Sequence, residues 1–529
     1  MAVVAVVVTF GALALGSSAG STPALRASPE VDDGTGAMPA PPNRAVWEWE
    51  PQVAIDSSGV LWAVGGHCPF VDQYGPCGAP TEGPGRADIL AVWRSDDAGH
   101  SWRFVADPLS APGGLGAVTD TPASSDPDIA VSPQPRPGKP PILATVSLYG
   151  ASSALAVSPD GGHSWAIVPA VGVPGQDRPW LAASGTCDLF LEYDPIADLA
   201  GAATVPRVER YDACAIAAAA PGITTALAAT SQPIEPLANV VTQGDQLPGR
   251  LSAGRAGLYG AYLSCDASSA CTVAVAKSTD SAKSWTDQVL PSPTLLIAAD
   301  PTFPLSASAD ATGKVGVAVT DHHHVDVWLS SDDGATWPVA HRAVDAGLGW
   351  TLANVPSVAV RGSDVVVSWY GSPPSTGVQS WYLVVARSTD GGTTWIDYPI
   401  GPVLATTPHA TLLGAGLYDD FGSAVTPDGT GVVVYNQSCQ AHPSSDTECP
   451  GPPAGVNGTY DVTRYAWVAS TAPASAGAAP ASPRVPQKSG APVGTLPATG
   501  GDAGWANFAA VGTIAILIVS RRVATPRDV

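Results

Sequence analysis

Acidic and aromatic side chains recur just ahead of short apolar runs in this sequence. The acids and amide in these places are Glu48, Glu50, Asp126, Asp128, Asp177, Asp245, Asp300, Asn354, Asp419 and Asp420, and the aromatic and basic residues among them are Trp47, Trp49, Trp180, Tyr418, Arg178 and Arg250. Carboxylates accept hydrogen bonds from sugar hydroxyls, and aromatic rings stack on pyranose rings. The pattern predicts a sugar-binding surface if the fold brings these positions to one face. For any single acid, a turn-capping role is the alternative.

A second polar cluster, "DHHHVDV" at 321–327, contains three consecutive histidines. Neighbouring side chains of an extended segment point in opposite directions, so the three imidazoles do not converge on one metal ion. We therefore predict no metal site and no cofactor. His322 or His324, beside Asp321, could serve in acid/base chemistry.

The elements that must position these residues are predicted to be short strands. Gly and Pro number 56 and 52 among 529 residues, while charged residues make up only 13%. This composition favours many strands and turns over long helices. The formal net charge of -22 argues against nucleic acid or an anionic membrane surface as a partner.

A turn motif of the form Ser-x-Asp-x-Gly-x-x-Trp recurs along the chain, four times in full and once, from Ser278, in weakened form. Its copies are Ser95, Asp97 and Trp102; Ser158, Asp160 and Trp165; Ser278, Asp280 and Trp285; Ser330, Asp332 and Trp337; and Ser388, Asp390 and Trp395. Ser and Asp can bond turn amides, Gly takes the positive-φ position and Trp packs the hairpin down. The long interval between the second and third copies predicts a degenerate copy near residue 218.

The motif follows two apolar or alternating runs, as "KVGVAVTD" and "HVDVWLSS" illustrate. This order predicts that the motif is the hairpin between the third and fourth strands of a four-stranded blade. We therefore predict an all-β fold, a β-propeller of four-stranded blades. Seven first strands can be counted, near residues 47, 125, 176, 244, 299, 353 and 418. The fourth is the weakest, so six blades is the alternative.

The five motifs resemble the Asp-box, or BNR repeat, of the sialidase superfamily of β-propellers. The resemblance extends over about residues 45 to 470. In that family the Asp-boxes lie on the face opposite the active site. The resemblance therefore implies that the polar positions described above surround a mouth on the other face, the top face. Sialidases have six blades, one fewer than the count made here.

The resemblance also suggests catalytic roles. A sialidase grips the sugar carboxylate with an arginine cluster and uses a Tyr nucleophile activated by Glu, with an Asp acid/base. The candidates by position are Asp177 or Asp128 as acid/base, Tyr418 as nucleophile, Glu192 as its partner and Arg178 for the carboxylate. The family's Arg-Ile-Pro motif is absent from the first blade, where "WEPQVAI" stands, and Arg178 with Arg250 falls short of an arginine triad. We therefore expect recognition of a glycan or another extracellular ligand, with exo-glycosidase activity as the alternative and a structural or adhesive role as the third possibility.

Both ends of the chain are predicted to be targeting segments. Residues 1–19 read as a secretory signal peptide, followed by a linker at 20–44. "LPATG" from Leu496, with the apolar stretch and basic tail of 496–529, resembles a sortase sorting signal, which implies cleavage between Thr499 and Gly500 and attachment to peptidoglycan. The Pro/Ala/Ser-rich residues 471–495 are predicted to be an extended spacer. The propeller, residues 45–470, is thus expected to be an extracellular monomer on the cell wall of a Gram-positive-type bacterium, with only transient membrane contact through the C-terminal apolar segment.

Eight cysteines in an exported chain predict disulfides. Spacing pairs Cys68 with Cys77, Cys265 with Cys271 and Cys439 with Cys449, which leaves Cys187 for Cys214. Zinc is the alternative, but the sequence has no CxxC pair. The three spacing-based pairs fall in loops between second and third strands, on the side of the predicted mouth.

Overall fold

The computed structural model describes residues 34–39, 47–68, 71–72, 75–76, 89–109, 124–149, 152–195, 205–234, 246–265, 270–291, 295–296, 305–338, 341–342, 349–350, 352–375, 378–407, 417, 420–438 and 461–468. The chain divides into a large unit, Met1–Ala472, and a second unit, Pro473–Val529. The second unit, the signal peptide, the spacer and the sorting signal all lie outside the described residues.

The described residues form an all-β propeller of seven blades, as predicted from the Asp-box repeat. The first strand is β1 (Gly34–Ala37). Blade 1 contains β2 (Trp47–Ile55), β3 (Leu61–Cys68), the small hairpin β4 (Val71–Asp72) and β5 (Gly75–Pro76), β6 (Ile89–Ser95) and β7 (Arg103–Ala106). Blade 2 contains β8 (Ser124–Val131), β9 (Leu143–Tyr149), β10 (Ser152–Ser158) and β11 (Ala166–Val171). Blade 3 contains β12 (Gln176–Ser184), β13 (Asp188–Pro195), β14 (Arg207–Asp212) and β16 (Thr230–Pro233). Helix α1 (Ala213–Ala217) and β15 (Gly222–Ile223) lie between β14 and β16 along the chain.

The other four blades follow the same antiparallel order, from the ring axis outward. Blade 4 contains β17 (Gln246–Pro248), β18 (Ser252–Gly254), β19 (Gly257–Cys265), β20 (Ala270–Ser278), β21 (Thr286–Val289) and β22 (Leu295–Leu296). Blade 5 contains β23 (Leu305–Ala309), β24 (Val315–Thr320), β25 (Val325–Ser330) and β26 (His341–Arg342). Blade 6 contains β27 (Leu352–Arg361), β28 (Asp364–Ser372), β29 (Gln379–Ser388) and β30 (Ile396–Thr407), and blade 7 contains β31 (Gly422–Val425), β32 (Gly431–Ser438) and β33 (Asp461–Val468). The first strand of blade 4 is broken into β17 and β18, which explains its weak sequence signal.

Each of the seven boundaries between neighbouring blades has its own cluster of buried apolar side chains. The boundary between blades 7 and 1, for example, buries Val53 and Trp93 of blade 1 against Val434 of blade 7. Side chains alternate between the two faces of every strand, so each blade contributes to two boundaries. The apolar runs of the sequence are continuous because both faces of a blade are covered.

The ring is closed by the N-terminal strand. β1 pairs antiparallel with β33, so the outer strand of blade 7 comes from the start of the chain. Gly34 lies opposite Trp467, and a Cβ atom on Gly34 would stand 2.1 Å from the indole ring. Only glycine permits this close approach of β1 to the ring.

The five Asp-box turns share one hydrogen-bond network. In the copy from Ser388, the Ser388 hydroxyl accepts from the Gly392 amide at 2.8 Å, and the Asp390 carboxylate accepts from the Thr394 amide at 2.9 Å. The Trp395 indole then donates to the Gly392 carbonyl at 2.9 Å. In the weakened copy, Ala282 takes the glycine place with φ 63°, and within the described part of the chain the Trp285 indole nitrogen has no hydrogen-bond partner. The motif is a structural clip on the bottom face.

The degenerate copy expected near residue 218 is replaced by a helix. Asp212 caps α1 by accepting from the Ala215 amide, and Cys214 forms a disulfide with Cys187 on the turn between β12 and β13. This pairing was predicted. β15, which follows, adds to blade 2 as a parallel fifth strand. No helix in the described residues is long and apolar enough to cross a membrane.

The other predicted disulfides are described only in part. Cys271 is disulfide-bonded, and Cys265 is its Cα partner in the register of β19 and β20. Cys77, Cys439 and Cys449 lie outside the described residues. The pairs that involve them stay predictions.

The first strand of each blade lines the axis and has a sheet partner on one side only. Its exposed edge therefore needs hydrogen-bond partners from elsewhere. Side chains of the preceding blade supply them. The bonds are Glu50 Oε2 to Asp126 N (2.7 Å), Asp128 Oδ2 to Leu181 N (2.6 Å), Ser252 Oγ to Ala309 N (2.8 Å), Ser306 Oγ to Val358 N (3.3 Å) and Ser308 Oγ to Val360 N (3.3 Å). These bonds join blades 1 to 2, 2 to 3, 4 to 5 and 5 to 6.

The Asp-box carboxylates should make the fold sensitive to acid. The amide and hydroxyl of Thr394 and the Ser388 hydroxyl lower the pKa of Asp390 to about 2. An unfolded Asp has a pKa of about 3.9, so the ionised group contributes stability that is complete above about pH 4 and lost as the pH falls through 2. We expect Asp390→Asn to lower the unfolding temperature at pH 7 and the difference to vanish near pH 2, as measured by circular dichroism.

Asp96→Asn is the matched control, because Asp96 is an exposed carboxylate that pairs with Arg94 on the surface. Exposed pairs of this kind contribute little. A difference between Asp390→Asn and wild type that persists unchanged to pH 2 would contradict the assignment.

Candidate functional site

The predicted site residues that the structure describes lie on the top face, where the first strands begin. Tyr418, Asp419 and Asp300 lie outside the described residues. For Trp47 and Trp49 only the backbone is described. The site is therefore built from the first strands of blades 1 to 4, 6 and 7.

A bulge at the top of the first strand recurs in four blades. The residues Glu50, Asp126, Arg178 and Val355 have φ between 47° and 57°, each stands before a proline, and the strand register shifts at each of them. Positive φ is uncommon for residues other than glycine and is costly for a β-branched valine. A bulge bends the strand and re-aims its side chain. Because the bulge recurs in four blades, it is a regular feature of the top face.

The bulges are also connected to one another. The Glu50 amide donates to Asn436 Oδ1 at 2.9 Å, and the Glu50 carboxylate accepts from the Asp126 amide. The Asn436 amide in turn donates to the Tyr370 hydroxyl at 3.0 Å. This chain of bonds runs through blades 6, 7, 1 and 2, so it holds the upper rim of the ring in one conformation.

Asp128 was predicted as a catalytic residue and Arg250 as a ligand-binding residue. They form an ion pair across the axis, in which the Asp128 side chain is fully buried. Arg250 Nη2 donates to Asp128 Oδ1 at 2.5 Å and Nη1 donates to Gln52 Oε1 at 2.9 Å. Asp128 also accepts from the Leu181 and Ile129 amides. Its side chain is fully buried, and burial raises its pKa while the Arg250 charge opposes the rise. The pair joins blade 4 to blades 1 and 2.

Trp180 and Asp420, both predicted to bind ligand, make the second connection across the axis. The Trp180 indole nitrogen donates to Asp420 Oδ2 at 3.1 Å, which joins blade 3 to blade 7. Trp180 is only 3% exposed. Stacking of its ring on a sugar, as predicted, would require the side chain to leave this position.

Trp180, Arg250 and Asp420 of these two connections contribute to the lining of an axial channel of about 700 Å³. The channel is lined by the first strands of all seven blades. Its lining also includes the turns between first and second strands, such as Gln134 and Thr312, and the bulge residue Val355. The channel therefore extends from the bulge of blade 6 to the face that carries those turns. We call the Trp180–Asp420 and Asp128–Arg250 connections the roof.

Above the roof, three polar residues remain half-exposed. They are Asp126 at the bulge of blade 2 and Asp177 and Arg178 at that of blade 3. Asp177 Oδ1 accepts from the Arg178 amide at 3.1 Å, which fixes the carboxylate beside the bulge. The Arg178 guanidinium carries hydrogen-bond donors, and the Asp126 and Asp177 carboxylates carry acceptors. These groups suit a polar ligand.

Glu192, predicted as the partner of a nucleophile, lies deeper, on β13. Its side chain is fully buried, and neither carboxylate oxygen has a hydrogen-bond partner of normal geometry among the described residues. Burial raises the pKa of Glu192 well above its usual value, and the charges of Asp194 and Asp128 raise it further, while the Leu251 amide lowers it slightly. Burial therefore favours the protonated form of Glu192.

Two residues of this site were missed from the sequence. Gln52 anchors the roof, and Asn436 links blade 7 to blade 1. Asn354, which was among the predicted positions, lies beside the bulge of blade 6. The frame Pro-x-apolar-Ala recurs at 51–54, 127–130, 179–182 and 356–359. This second repeat marks four of the first strands and their bulges, and it could have identified Gln52.

One group of described side chains has the spacing of a metal site, namely Cys187, Asp212 and Cys214. The two cysteines are joined in a disulfide. Their sulfurs therefore do not offer the thiolates that a metal requires.

Comparison with known proteins gives similarities of fold. No protein-family model matches the sequence, and no curated protein matches it. A protein of unknown function from Dyadobacter fermentans is 12% identical, with a TM-score of 0.39, over 82% of this chain and 98% of that one. The NanB sialidase of Streptococcus pneumoniae is 13% identical, with a TM-score of 0.37, over 82% and 70%. An α-L-arabinofuranosidase from Fusarium graminearum is 13% identical, with a TM-score of 0.42, over 69% and 97%.

Removal of the roof carboxylate should destabilise the fold. Asp128→Ala removes the fully buried carboxylate that accepts from Arg250 and from the Leu181 amide, while Arg250, which is 20% exposed, keeps its bond to Gln52. Breaking a fully buried ion pair costs about 3–5 kcal/mol, and the partial exposure of Arg250 lowers that cost. We expect a loss of about 2–3 kcal/mol in the free energy of unfolding from urea denaturation.

The control for this variant is Asp188→Ala. Asp188 pairs with Arg210 at the surface, with both side chains about one-third exposed. Its loss should cost about 0–1 kcal/mol. Equal losses in the two variants would contradict the role assigned to the roof.

Glu192 should make stability fall with rising pH. Because its pKa is higher in the folded chain than the usual value of 4.5, stability is lost as the pH rises from about 4.5 toward the folded-state pKa. Glu192→Gln stays neutral at every pH. We expect its unfolding temperature to match that of wild type near pH 4 and to exceed it increasingly toward pH 7.

Glu209→Gln is the comparison, because Glu209 is a buried glutamate whose two oxygens accept from the Tyr193 and Tyr211 hydroxyls. This variant should lose stability rather than gain it. A destabilised Glu192→Gln protein at pH 7 would show that the carboxyl group is paired.

Proposed function

We propose that the protein is an extracellular, cell-wall-anchored propeller that binds a glycan at its top face without cleaving it. The observation that carries the proposal is the bulge repeated in four blades, which places polar side chains at the upper ends of the first strands of blades 1 to 3. Asp126, Asp177 and Arg178 are half-exposed there, and their donors and acceptors suit a hydroxylated ligand. The strained φ angles at these positions are of the kind that recurs at ligand sites.

Binding without turnover is favoured because two of the three candidate acids, Asp128 and Glu192, are occupied or enclosed, which leaves only the half-exposed Asp177. The Asp128 carboxylate is held by Arg250 and two backbone amides, and Glu192 is buried on β13. A retaining or inverting glycosidase needs two carboxyl groups that flank the scissile bond, or a tyrosine nucleophile in place of one. Neither Asp128 nor Glu192 reaches the space above the roof.

The extracellular location rests on the sequence. The signal peptide at 1–19 and the sorting signal at 496–529, with cleavage between Thr499 and Gly500, would carry the propeller to the peptidoglycan through a sortase. The Cys187–Cys214 disulfide and the disulfide-bonded Cys271 suit an oxidising compartment. The spacer at 471–495 would hold the propeller away from the wall.

A second candidate is an exo-glycosidase, and the raised pKa of Glu192 favours it. A carboxyl group whose pKa is raised by burial is what a general acid requires. For such a role, Glu192 would have to become accessible through displacement of the roof, with Tyr418 as nucleophile and Asp177 as the second acid/base candidate.

Arg178 is the residue whose loss should separate these functions. We expect the full chain to bind members of an immobilised glycan panel saturably and to release nothing from a fluorogenic sialoside or from neutral and uronic aryl glycosides. Arg178→Ala should weaken glycan binding about tenfold or more, because charge-assisted hydrogen bonds are lost. Asp177→Asn should weaken it less.

Arg103→Ala is the matched control, since Arg103 is an exposed arginine that follows the first Asp-box. Its binding should equal that of wild type. Turnover that disappears in both Arg178→Ala and Asp177→Asn would establish the exo-glycosidase instead. No binding and no turnover in wild type would leave the structural or adhesive role.

A further inference from the structure

A pocket on the Asp-box face lies between blades 4 and 5, on the opposite side of the ring from Arg178. Its volume is about 210 Å³. Blade 4 contributes Tyr259, Val275, Lys277 and residues 286–288, and the Asp-box turn of blade 5 contributes Gly334, Ala335 and Trp337. Since a molecule of liquid water occupies about 30 Å³, the pocket has the volume of about seven waters.

The inner wall of this pocket is aromatic. Tyr259 and Trp337 are both buried. Gly334 lies between their rings, because a Cβ atom on Gly334 would stand 3.3 Å from Tyr259 Cε1 and 3.5 Å from Trp337 Cζ2. The polar atoms of both rings are bonded within the fold, since the Tyr259 hydroxyl donates to the Asp333 carbonyl at 3.1 Å and the Trp337 indole donates to the Gly334 carbonyl at 3.0 Å. The wall therefore offers apolar ring surface to a ligand.

Lys277 places an ammonium group at the pocket. Its Nζ donates to the Asp333 carbonyl at 2.6 Å and lies 5.5 Å from the centroid of the Tyr259 ring. The Asp333 carboxylate is occupied by Arg255. Within the described part of the chain, no carboxylate forms an ion pair with Lys277. An ammonium group has three donors, so Lys277 retains donors for a ligand.

The equivalent cation of blade 1 has a counter-charge. Arg94 corresponds to Lys277, because each residue directly precedes the Asp-box serine of its blade. Arg94 forms an ion pair with Asp96, which follows that serine. In blade 4 the position of Asp96 is held by Thr279. The place that a carboxylate occupies beside Arg94 is therefore unfilled beside Lys277.

The pocket is open because an apolar side chain of blade 1 has a polar counterpart in blade 4. Val105 packs against Gly162, the Asp-box glycine of blade 2, and a Cβ atom on that glycine would stand 2.7 Å from Val105 Cγ1. Val105 is the third residue after its Asp-box tryptophan, and the third residue after Trp285 is the exposed Gln288. Gln288 and the exposed Thr286 line the pocket instead. The edge of the pocket is thus polar, whereas the equivalent space between blades 1 and 2 is closed.

We propose that this pocket binds a single pyranoside that carries a carboxylate, such as a hexuronic acid. The carboxylate accepts from Lys277 Nζ, one face of the ring packs against the aromatic wall, and the ring hydroxyls bond to Thr286 and Gln288 at the open edge. Asp287, the acidic residue of the lining, pairs with Ala276, whose side chain is buried on the blade 3 side. Side chains that pair across strands share one face, so the Asp287 carboxylate is directed away from the bound anion.

This site goes beyond the function proposed above, because it lies on the other face of the ring. The net charge of -22 disfavours a long polyanion, which the whole surface would repel. A single carboxylate is governed by the nearby Lys277, since charges beyond about 8 Å are screened at physiological salt. For a ligand of this size, we expect a dissociation constant on the order of 1 mM.

The first test compares methyl glucuronoside with methyl glucoside, which differ only in a carboxylate against a hydroxymethyl group. The full chain is titrated at pH 7 and binding is followed by saturation-transfer NMR. We expect the glucuronoside to bind about tenfold or more tightly than the glucoside, and Lys277→Met to lose that preference, because one charge-assisted hydrogen bond is removed. Lys283→Met is the matched control, since Lys283 is an exposed lysine of the same turn that does not line the pocket. Its binding should equal that of wild type.

The second test restores the counter-charge of blade 1 without removing a contact. In Thr279→Asp the new carboxylate pairs with Lys277 as Asp96 pairs with Arg94, so it competes with the ligand. We expect glucuronoside binding to weaken about tenfold, with the unfolding temperature maintained. Thr279→Ser is the control and should bind as wild type does. This variant keeps the proposal testable if Lys277→Met folds poorly.

Arg178→Ala separates the two sites. Glucuronoside binding that persists in Arg178→Ala and is lost in Lys277→Met supports the pocket, whether or not the glycan panel reveals binding at the top face. Binding lost in Arg178→Ala and kept in Lys277→Met would overturn the pocket and leave the proposed function standing. Equal binding of the two methyl glycosides, unchanged binding in Thr279→Asp, or no glucuronoside binding at all would also overturn it.

Discussion

The unpaired inner edge of each blade is the constraint on which the rest of this structure depends. A strand at the edge of a sheet presents N–H groups that must find acceptors or remain hydrated. In this ring the preceding blade provides them, as Ser306 and Ser308 do for the amides of Val358 and Val360. Apolar contact at the blade boundaries is not directional. These hydrogen bonds are directional, so they fix the position of one blade along the ring axis relative to the next. The first strands of the blades that these bonds join are thereby held in a fixed position relative to one another.

The roof extends the same principle across the axis. Asp128 satisfies the Leu181 amide of the next blade and also holds Arg250 from the opposite side of the ring. The carboxylate therefore serves two structural bonds at once, and its burial is compensated by charge and by amide donors. Glu192 has no such compensation, and its burial favours the protonated form. The two buried acids thus differ in their hydrogen-bond environments.

Much of the fold could be predicted because its signals are local. The Asp-box frame occupies eight residues, and all of its bonds, from the Ser388 hydroxyl to the Trp395 indole, close within that turn. The strand order follows from the apolar runs that precede such turns, and the seven-blade count follows from the seven first strands that the sequence shows. The fourth blade gave the weakest signal because its first strand is interrupted between β17 and β18. The Cys187–Cys214 pair could also be predicted, but not the helix that replaces the missing Asp-box beside it.

The residue types on the top face were determined by the sequence alone, together with the strand periodicity that places them there. Their partners were decided only by the tertiary structure. Trp180 and Asp420 are 240 residues apart, and Arg250 meets Gln52 and Asp128 from blades far away along the chain. No local pattern encodes these contacts, because they depend on ring closure, which brings the ends of seven separate strands to one axis. The same closure divides the predicted residues into those enclosed in the roof, such as Asp128, and those left above it, such as Arg178.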